Sequence, residues 1–434
     1  MERFIYKELI EWKNSRERKP LILEGARQVG KTWILKEFGR NEYEKLAYIN
    51  CDNNTQIKKL FSDFDTSRLI RGFSAITGIN ITKENTLIVL DEVQEVPLAL
   101  TVLKYFLEEA PEYHIAVAGS FLGILLHEGS GFPVGKTDTL TLYPLSFSEF
   151  LIAIGKKHLL DALREHRFEE LNAILPQYIE ALRQYYYTGG MPEVVASYIE
   201  SHDLKKVRRL QKEIIRGYEK DFSKHAPEKD SIKMYTVWNS IPSQLAKENK
   251  KFIYGAIRKG ARAKEYESAI EWLRKTGLIH KVSRIKKVEK PAKFYEDIDC
   301  FKLFLVDLGI LGAMVDAPAE EILIGDDIFS NYKGSFTEQY VAQQFYSSGG
   351  ETLYYYANEN STSEIDFVVD FKTIYPVEVK AGINLKAKSL STVLKQNEAL
   401  IGIRFSMAPY KEQDNLINVP LPFAEEYLRL IMED

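Results

Sequence analysis

The chain has 434 residues, and its 58 Lys and Arg against 62 Asp and Glu give a formal net charge of −4. Apolar residues make up 45% and charged residues 28%, a composition that excludes a disordered, collagenous or coiled-coil protein. The length predicts about two to four domains, and a charge so near zero excludes a uniformly basic coat for nucleic acid, although the sum can hide local patches.

The first predicted element is a phosphate-binding loop. Residues 25–32 read Gly-Ala-Arg-Gln-Val-Gly-Lys-Thr and fit the pattern G-x-x-x-x-G-K-[ST] in full. An apolar run at 20–23 predicts a buried strand before the loop, and helical spacing over 33–38 predicts a helix after it that ends at Gly39. In this pattern, backbone N–H groups and the helix N-terminus bind phosphates, while the lysine reaches the β and γ phosphates and the hydroxyl binds Mg²⁺. The predicted ATP-binding residues are Gly25, Ala26, Arg27, Gln28, Val29, Gly30, Lys31, Thr32 and Trp33.

Acidic residues end the next predicted buried strand, 86–90. Asp91 is expected to order Mg²⁺ together with Thr32, and Glu92 is expected to act as the general base that polarises the attacking water. A third apolar strand, 114–118, leads to Ser120. This serine either senses the γ-phosphate or caps a helix over 121–126. Strands that alternate with helices over 20–145 predict an α/β fold with a doubly wound parallel sheet, which binds nucleotide at the carboxyl ends of its strands.

Four stretches carry a family resemblance: 25–32, 90–94, 118–120 and 142–150. Through them the chain resembles a large prokaryotic family of AAA-type P-loop ATPases whose members carry a C-terminal domain of unknown function. Residues 187–193, Tyr-Thr-Gly-Gly-Met-Pro-Glu, look like that family's junction into the C-terminal half. One departure concerns the stretch before Tyr-Pro-Leu, where many members have Gly-Arg and this chain has Gly135 and Lys136. The resemblance therefore does not supply a γ-phosphate-sensing arginine at this position.

The middle of the chain predicts a helical lid at 146–225, with Ser148 as a helix N-cap, and then a winged helix at 226–312. The winged helix is predicted from three short helices, the last of which ends at Gly277, and from two alternating strands at 278–282 and 301–306. Basic residues crowd its helices and wing: Lys247, Lys250, Lys251, Arg258, Lys259, Arg262, Lys264, Lys281, Arg284, Lys286, Lys287, Lys290 and Lys293. Such a cluster is typical of binding to the DNA phosphate backbone. A winged helix that contacts protein instead remains an alternative.

The last predicted segment, 313–434, carries acids at intervals typical of a nuclease. Glu338 lies on a predicted helix, Asp366 near the start of a strand, and Glu378 and Lys380 on one face of the next strand. An acid followed about a dozen residues later by E-x-K resembles the restriction-endonuclease-like fold and the archaeal Holliday-junction resolvases. That resemblance implies that Glu338, Asp366 and Glu378 bind Mg²⁺ while Lys380 positions or activates water beside a scissile phosphate. The alternative is an ion pair between Glu378 and Lys380 in an inactive scaffold.

The sequence therefore predicts four segments: a P-loop ATPase core at 1–145, then the lid, the winged helix and the nuclease-like domain. We expect an Mg²⁺-dependent ATPase that couples its nucleotide state to DNA, or else an ATP-driven switch with an inactive nuclease-like domain. With Cys51 and Cys300 as the sole cysteines, a disulfide framework is excluded and a reducing, cytoplasmic compartment is expected. No apolar run approaches the ~18 residues that span a bilayer, so no membrane partner is expected, whereas a homo-oligomer is possible.

Overall fold

The structure is a computed structural model. It describes residues 1–52, 55–61, 64–120, 122, 135–225, 228–247, 250–323, 333–358, 363–383 and 388–433. The chain divides into two compact units, of which the nucleotide-binding unit comprises Glu2–Tyr143 with Lys275–Leu278. The C-terminal unit comprises Met1, Pro144–Arg274 and Ile279–Asp434. Among the described residues, no helix is both long and apolar enough to cross a bilayer.

The nucleotide-binding unit is built on a five-stranded sheet. Its helices are α1 (Ile5–Asn14), α2 (Lys31–Glu42), α3 (Thr55–Leu60), α4 (Thr66–Thr77) and α5 (Leu98–Glu109). Its strands are β1 (Leu21–Glu24), β2 (Lys45–Asn50), β3 (Thr86–Asp91), β4 (His114–Ala118) and β5 (Asp138–Thr141). The strand order is β2-β3-β4-β1-β5, and every neighbouring pair is parallel. The predicted parallel α/β sheet is confirmed.

The centre of this sheet is fully buried, because β3 and β4 are covered on both faces. Ile88 and Leu90 of β3 belong to one apolar cluster with Phe73 of α4 and Phe106 of α5. Such packing holds the end of β3, and therefore Asp91, in a fixed place.

The predicted end of α2 at Gly39 is wrong, since the helix continues to Glu42. A Cβ at Gly39 would lie 2.6 Å from the Leu46 side chain. The glycine therefore allows the helix to approach β2 closely and does not terminate it.

The first part of the C-terminal unit is helical. Its helices are α6 (Phe147–Ala153), α7 (Lys157–Leu163), α8 (Leu175–Thr188), α9 (Pro192–Ser201), α10 (Leu204–His225), α11 (Glu228–Leu245), α12 (Tyr254–Ile257) and α13 (Ala263–Lys275). The helical pattern predicted for 146–225 agrees with α6–α10, whereas the role of a lid stays a prediction.

The N-cap predicted at Ser148 is wrong, because Ser146 caps α6. The Ser146 hydroxyl accepts from the Glu149 N–H, and the Glu149 carboxylate accepts from the Ser146 N–H. Ser148 has no acid at the matching position, so it cannot complete this capping box. Its backbone N–H instead donates to Glu425 Oε2 at 2.6 Å.

An eight-stranded sheet forms the rest of the C-terminal unit. Its strands are β6 (Ile279–Ile285), β7 (Glu296–Leu305), β8 (Leu353–Ala357), β9 (Glu364–Asp370), β10 (Ile374–Val379), β11 (Gly402–Ser406), β12 (Lys411–Gln413) and β13 (Leu416–Pro420). The accompanying helices are α14 (Leu308–Met314), α15 (Ala319–Leu323), α16 (Lys333–Ser347), α17 (Lys388–Gln396) and α18 (Ala424–Glu433). Strands β8, β9 and β10 run antiparallel in turn, and β11 is parallel to β10.

This sheet runs across the boundary predicted between residues 312 and 313. The hairpin of β6 and β7 was predicted as the wing of a winged helix, yet β6 also pairs in parallel with β8, with Ser283 opposite Tyr354. The structure thus has two compact units where four segments were predicted. Parallel pairing between strands so distant in the chain leaves no local sequence pattern from which to predict it.

Candidate functional site

The loop between β1 and α2 has the backbone shape that a phosphate requires. Gly30 caps α2 with a φ of 100°, and Gly25 has a φ of 137°. A Cβ at Gly25 would lie 2.2 Å from the Leu142 carbonyl oxygen, so only glycine fits there. Gly30 has no side chain that could cap the first turn of α2, so it leaves the N–H groups of this turn open to a phosphate.

Lys31 is the cation of this loop. Its side chain is buried, and Nζ donates to the carbonyl oxygens of Gly25 and Ala26, each at 2.7 Å. Burial lowers the pKa of Lys31 to about 8, against the opposing pull of the Glu92 and Asp91 charges. A phosphate beside this ammonium would stabilise its positive charge, which Glu92 and Asp91 only partly offset. The loop is therefore suited to the phosphates of ATP.

Thr32 and Asp91 meet at the carboxyl end of the sheet. The Thr32 hydroxyl donates to Asp91 Oδ2 at 2.6 Å, and the Tyr48 hydroxyl donates to the same oxygen at 2.9 Å. Asp91 is buried. A hydroxyl oxygen and a carboxylate so close to a phosphate loop are oxygen ligands that suit Mg²⁺, directly or through water. Bound Mg²⁺ would neutralise charge on the β and γ phosphates.

Glu92 lies beside this pair with a left-handed backbone, at a φ of 54°. The Gln94 amide donates to Glu92 Oε2, and so holds the carboxylate in one orientation. The other amide atom, Gln94 Oε1, is buried without a hydrogen bond among the described residues and would lie 2.5 Å from a Cβ at Gly119. Gly119 directly follows β4, and the buried Ser120 is the next residue. The Gln94 side chain therefore lies between the candidate base and the strand that carries the candidate sensor.

The remaining predicted residues of the loop divide by exposure. Ala26 and Val29 are buried, whereas Arg27, Gln28 and Trp33 are exposed. The helix that Ser120 could alternatively cap, 121–126, lies largely outside the described residues.

Two charged residues outside the loop also have defined partners. Lys136, at the family's Gly-Arg position, forms an ion pair with Glu108 at 3.3 Å. The buried Arg3 guanidinium donates to the carbonyl oxygens of Val29 at 3.1 Å and Tyr143 at 2.6 Å. Arg3 therefore holds the beginning of α1 against the loop.

Replacing Tyr48 by phenylalanine is expected to raise the Mg²⁺ concentration for half-maximal ATP turnover roughly tenfold, since groups that orient metal ligands carry effects of this size. The phenol stays protonated because burial, followed by the charge of Asp91, raises its pKa. Lys36 Nζ lies 3.6 Å from the centre of the same ring and helps to fix it. Magnesium titrations of turnover measure the effect. Tyr105→Phe, which loses a hydroxyl elsewhere in the unit, should not change the titration, and an equal shift in both variants would contradict a positioning role for Tyr48.

Three predicted acids converge in the C-terminal unit, and we call Glu338, Asp366 and Glu378 the acidic cluster. Glu338 projects from α16, Asp366 from β9 and Glu378 from β10. Asp366 Oδ2 accepts from the Val379 N–H at 2.7 Å. Burial and then the nearby charges of Glu338 and Glu378 raise the pKa of Asp366 well above its usual range. The carboxyl groups are thus close enough to repel one another.

Lysines surround this cluster. Lys380 pairs with Glu378, the contact that the alternative interpretation expected, and Lys250 pairs with Glu338. Lys302 Nζ lies 3.5 Å from Glu338 Oε2. Lys302 is fully buried, and its Nζ also lies 2.6 Å from Glu364 Oε1. Burial alone would raise the pKa of Glu338, but Lys250 and Lys302 lower it below its usual value. Within the described residues, no group of three or more His, Cys, Asp or Glu side chains is arranged so that it could hold a metal ion. The oxygen donors suit Mg²⁺, but the lysines already balance their charge.

The basic region contains more acids than the sequence pattern suggested. Five of its cations are in ion pairs: Lys250 with Glu338, Arg258 with Glu265, Arg284 with Asp297, Lys290 with Asp370, and Lys293 with Glu296. Tertiary folding brings two of these partners, Glu338 and Asp370, from far along the chain, so the region is less basic in space than its sequence indicates. Other cations of the region are exposed at the surface: Lys259, Arg262, Lys264 and Lys286.

Sequence reasoning missed Tyr48, Gln94 and Lys302. Gln94 was within a stretch that carries the family resemblance, so the motif was a signal for the position but not for its role. Tyr48 lies within β2, opposite Val89 of β3, and only the pairing of these two strands brings its side chain near Asp91. Lys302 alternates with apolar residues in β7 and gave no signal of its own.

Three family models match successive parts of the chain. Residues 17–151 match an AAA domain, residues 179–321 a domain of unknown function (DUF8612), and residues 333–424 a second domain of unknown function (DUF4143). The second match crosses the boundary predicted between the lid and the winged helix. No curated protein matches the chain.

Solved structures with some similarity to the chain include an ATPase and two ORC proteins. A Walker-type ATPase of Pyrococcus abyssi is 16% identical, covers 71% of this chain and 94% of its own, and gives a TM-score of 0.43. The ORC1 protein of Aeropyrum pernix in complex with DNA is 13% identical over 74% of this chain and 92% of its own, with a TM-score of 0.28. The ADP form of the ORC2 protein of Aeropyrum pernix is 16% identical over 75% of this chain and 90% of its own, with a TM-score of 0.32.

The parallel sheet, the phosphate loop and the match to an AAA domain together support an ATPase-like AAA domain at residues 17–151. The two matches that follow are to domains of unknown function, so the winged helix and the nuclease-like domain stay predictions.

Proposed function

We propose that the protein binds ATP and hydrolyses it with Mg²⁺, and that its nucleotide state controls DNA binding or processing by the C-terminal unit. The observation that carries the ATPase assignment is the 2.6 Å hydrogen bond from Thr32 to Asp91 beside the Lys31 loop. This contact supports the assignment because it joins two residues, 59 positions apart in the chain, that would hold Mg²⁺ beside the phosphates.

The residues of the phosphate loop and of the two neighbouring strand ends have different roles in hydrolysis. Lys31 and the N–H groups of the loop bind and orient the phosphates, and Thr32 with Asp91 would hold Mg²⁺. Glu92, oriented by Gln94, accepts the proton of the attacking water. Ser120, two residues beyond the end of the neighbouring strand β4, would donate to the γ-phosphate or to that water.

The experiment that tests the coupling measures ATP turnover of the whole chain with and without duplex DNA, alongside DNA affinity at several salt concentrations. We expect DNA to alter turnover and affinity to fall steeply with salt, because the exposed cations would displace counter-ions from phosphates. Absent or salt-independent DNA binding would assign the basic region to a protein partner. Very slow turnover that DNA does not change would favour the alternative, an ATP-driven switch with an inactive nuclease-like domain.

A second candidate function is metal-dependent DNA cleavage by the acidic cluster. The meander of β8, β9 and β10 between α16 and α17, followed by β11 parallel to β10, brings acids from three elements together. Glu338, Asp366 and Glu378 would hold Mg²⁺, which would polarise the scissile phosphate. Lys380 would position the water.

Replacing Asp366 by asparagine is expected to reduce nicking of branched or duplex DNA about a hundredfold or more, because loss of a ligand would remove the metal's stabilisation of the transition-state charge. Nicking is followed with Mg²⁺ or Mn²⁺, with and without ATP. The matched control is Glu351→Gln, which neutralises an exposed acid outside the cluster. If the unchanged protein nicks no DNA under any of these conditions, the domain is a binding module.

A further inference from the structure

The connection between β6 and β7, residues 286–295, is rich in lysine and carries an exposed aromatic ring, and we call it the hairpin tip. It contains four lysines and one acid, Glu289. The Phe294 side chain is 82% exposed, the largest exposure among the large apolar residues that the structure describes. A single exposed ring is ordinary on a protein surface, so its meaning depends on what surrounds it.

The hairpin tip is anchored to the sheet. Val288 and Ala292 are buried in one apolar cluster with residues of β8 and β10. The Lys286 N–H donates to the Tyr295 carbonyl oxygen at 2.9 Å and closes the tip. Phe294 follows the buried Ala292 by two residues, so an anchored segment holds its ring out toward the solvent.

A second exposed ring lies on the turn beside the hairpin tip. Phe371 begins the connection between β9 and β10, residues 371–373, and is 46% exposed. The Ala292 N–H donates to Asp370 Oδ2 at 2.7 Å, and Lys290 Nζ donates to the carbonyl oxygens of Phe371 and Lys372. These hydrogen bonds hold the two connections side by side, each with one exposed phenylalanine.

Lysines accompany both rings. Two of them are paired with acids, Lys290 with Asp370 and Lys293 with Glu296. Three others are exposed and form no ion pair within the part of the chain that the structure describes: Lys286, Lys287 and Lys372. The surface therefore keeps positive charge beside its exposed rings.

Exposed rings among cations suit a single-stranded nucleic acid. The phosphates of such a strand would meet the lysines, and its unpaired bases would stack on the rings. A duplex keeps its bases stacked on one another and would leave both rings in water. An anionic membrane would also attract the lysines, but segments that lie on membranes present a continuous apolar face. Here Lys293 directly precedes Phe294, and Lys372 directly follows Phe371.

We propose that the hairpin tip and the turn at 371–373 bind single-stranded nucleic acid, with Phe294 and Phe371 as stacking platforms for bases. Lys286, Lys287 and Lys372 contact the phosphates. The inference rests on the DNA coupling of the proposed function and specifies its substrate as single-stranded. It does not depend on cleavage by the acidic cluster.

The test measures binding of the whole chain to a labelled oligothymidylate and to a duplex of the same length, by fluorescence anisotropy. We expect tighter binding to the single strand. Phe294→Ala should weaken that binding about tenfold, as loss of one stacked base does, and should leave duplex affinity unchanged. Phe294→Trp should retain it. The matched control is Tyr235→Ala, which removes an exposed ring from α11 and should not change binding.

The lysines have a separate readout in the salt dependence. The double variant Lys286→Gln with Lys287→Gln should bind the oligothymidylate more weakly and with a shallower dependence on salt. Each phosphate contact on a single strand contributes about −0.7 to the slope of log affinity against log salt concentration. Phe294→Ala should keep the slope of the unchanged protein, because it removes no charge.

Equal affinity of Phe294→Ala and the unchanged protein for the oligothymidylate would overturn the proposal. Binding to vesicles of phosphatidylserine and phosphatidylcholine that requires Phe294, when DNA binding does not, would assign the surface to a membrane instead. The unfolding temperature of each variant shows that it is folded. Duplex binding that no phenylalanine substitution changes would refute this inference alone. Single-strand binding that requires Phe294 but does not alter ATP turnover would support it and refute the coupling to nucleotide state.

Discussion

Lys31→Ala is expected to abolish ATP turnover, with a loss of about a hundredfold to a thousandfold or more, as for other groups that stabilise developing charge. The ammonium is the buried cation of the phosphate loop, and no neighbouring lysine contacts the carbonyl oxygens of Gly25 and Ala26 in its place among the described residues. Nucleotide affinity should fall as well, because the interaction of this cation with the phosphates is present before hydrolysis. Turnover and nucleotide binding are measured on the same preparation.

A matched control for Lys31 is Lys59→Ala, which removes an exposed lysine from α3 in the same unit. That variant should retain full turnover. Alanine at position 31 also removes the hydrogen bonds that Lys31 donates to two loop carbonyls, which could destabilise the loop. The unfolding temperature of Lys31→Ala is therefore compared with that of the unchanged protein. If Lys31→Ala is folded and hydrolyses ATP at the normal rate, the assignment of the phosphate loop is wrong.

Glu92→Gln is expected to bind ATP normally and to hydrolyse it about a hundredfold to ten-thousandfold more slowly, the range that a general base contributes. The amide has the size of the carboxylate and can remain beside Gln94, but it cannot accept the proton of the attacking water. Binding of labelled ATP and single-turnover hydrolysis separate the two effects. Glu95→Gln, which neutralises an acid three residues further along the chain, should hydrolyse ATP at the normal rate. Normal hydrolysis by Glu92→Gln would remove Glu92 from this role.

The local parts of the nucleotide site could be predicted from the sequence. The motif at 25–32 predicts a phosphate loop, because its glycines allow backbone conformations that other residues rarely adopt. The short apolar run before Asp91 predicts a strand, because buried parallel strands are continuously apolar. The observed β3, Thr86–Asp91, extends the predicted strand by one residue. The site nevertheless includes Tyr48 and Gln94, whose roles depend on strand pairing and side-chain direction.

Long-range electrostatics could not be predicted in the same way. Lys250 lies among basic residues in the sequence, and that composition indicates a phosphate contact. The fold places its ammonium against Glu338, which is 88 residues away. Charge patterning describes neighbours along the chain, whereas buried ion pairs depend on neighbours in space. Strand pairing likewise depends on neighbours in space, and for this reason the sequence pattern placed the hairpin of β6 and β7 in a separate domain from β8.

The pairing of β6 with β8 has a consequence for dissection of the chain. Residues 313–434, expressed alone, would lack β6 and β7, and the N–H and C=O groups along one side of β8 would lose their partners. Exposed edges of this kind recruit strands from other molecules and promote aggregation. In the complete chain, β6 covers this side of β8, and the edge positions of the described sheet belong to β7 and β12. A fragment that begins before residue 279 therefore keeps β8 paired on both sides.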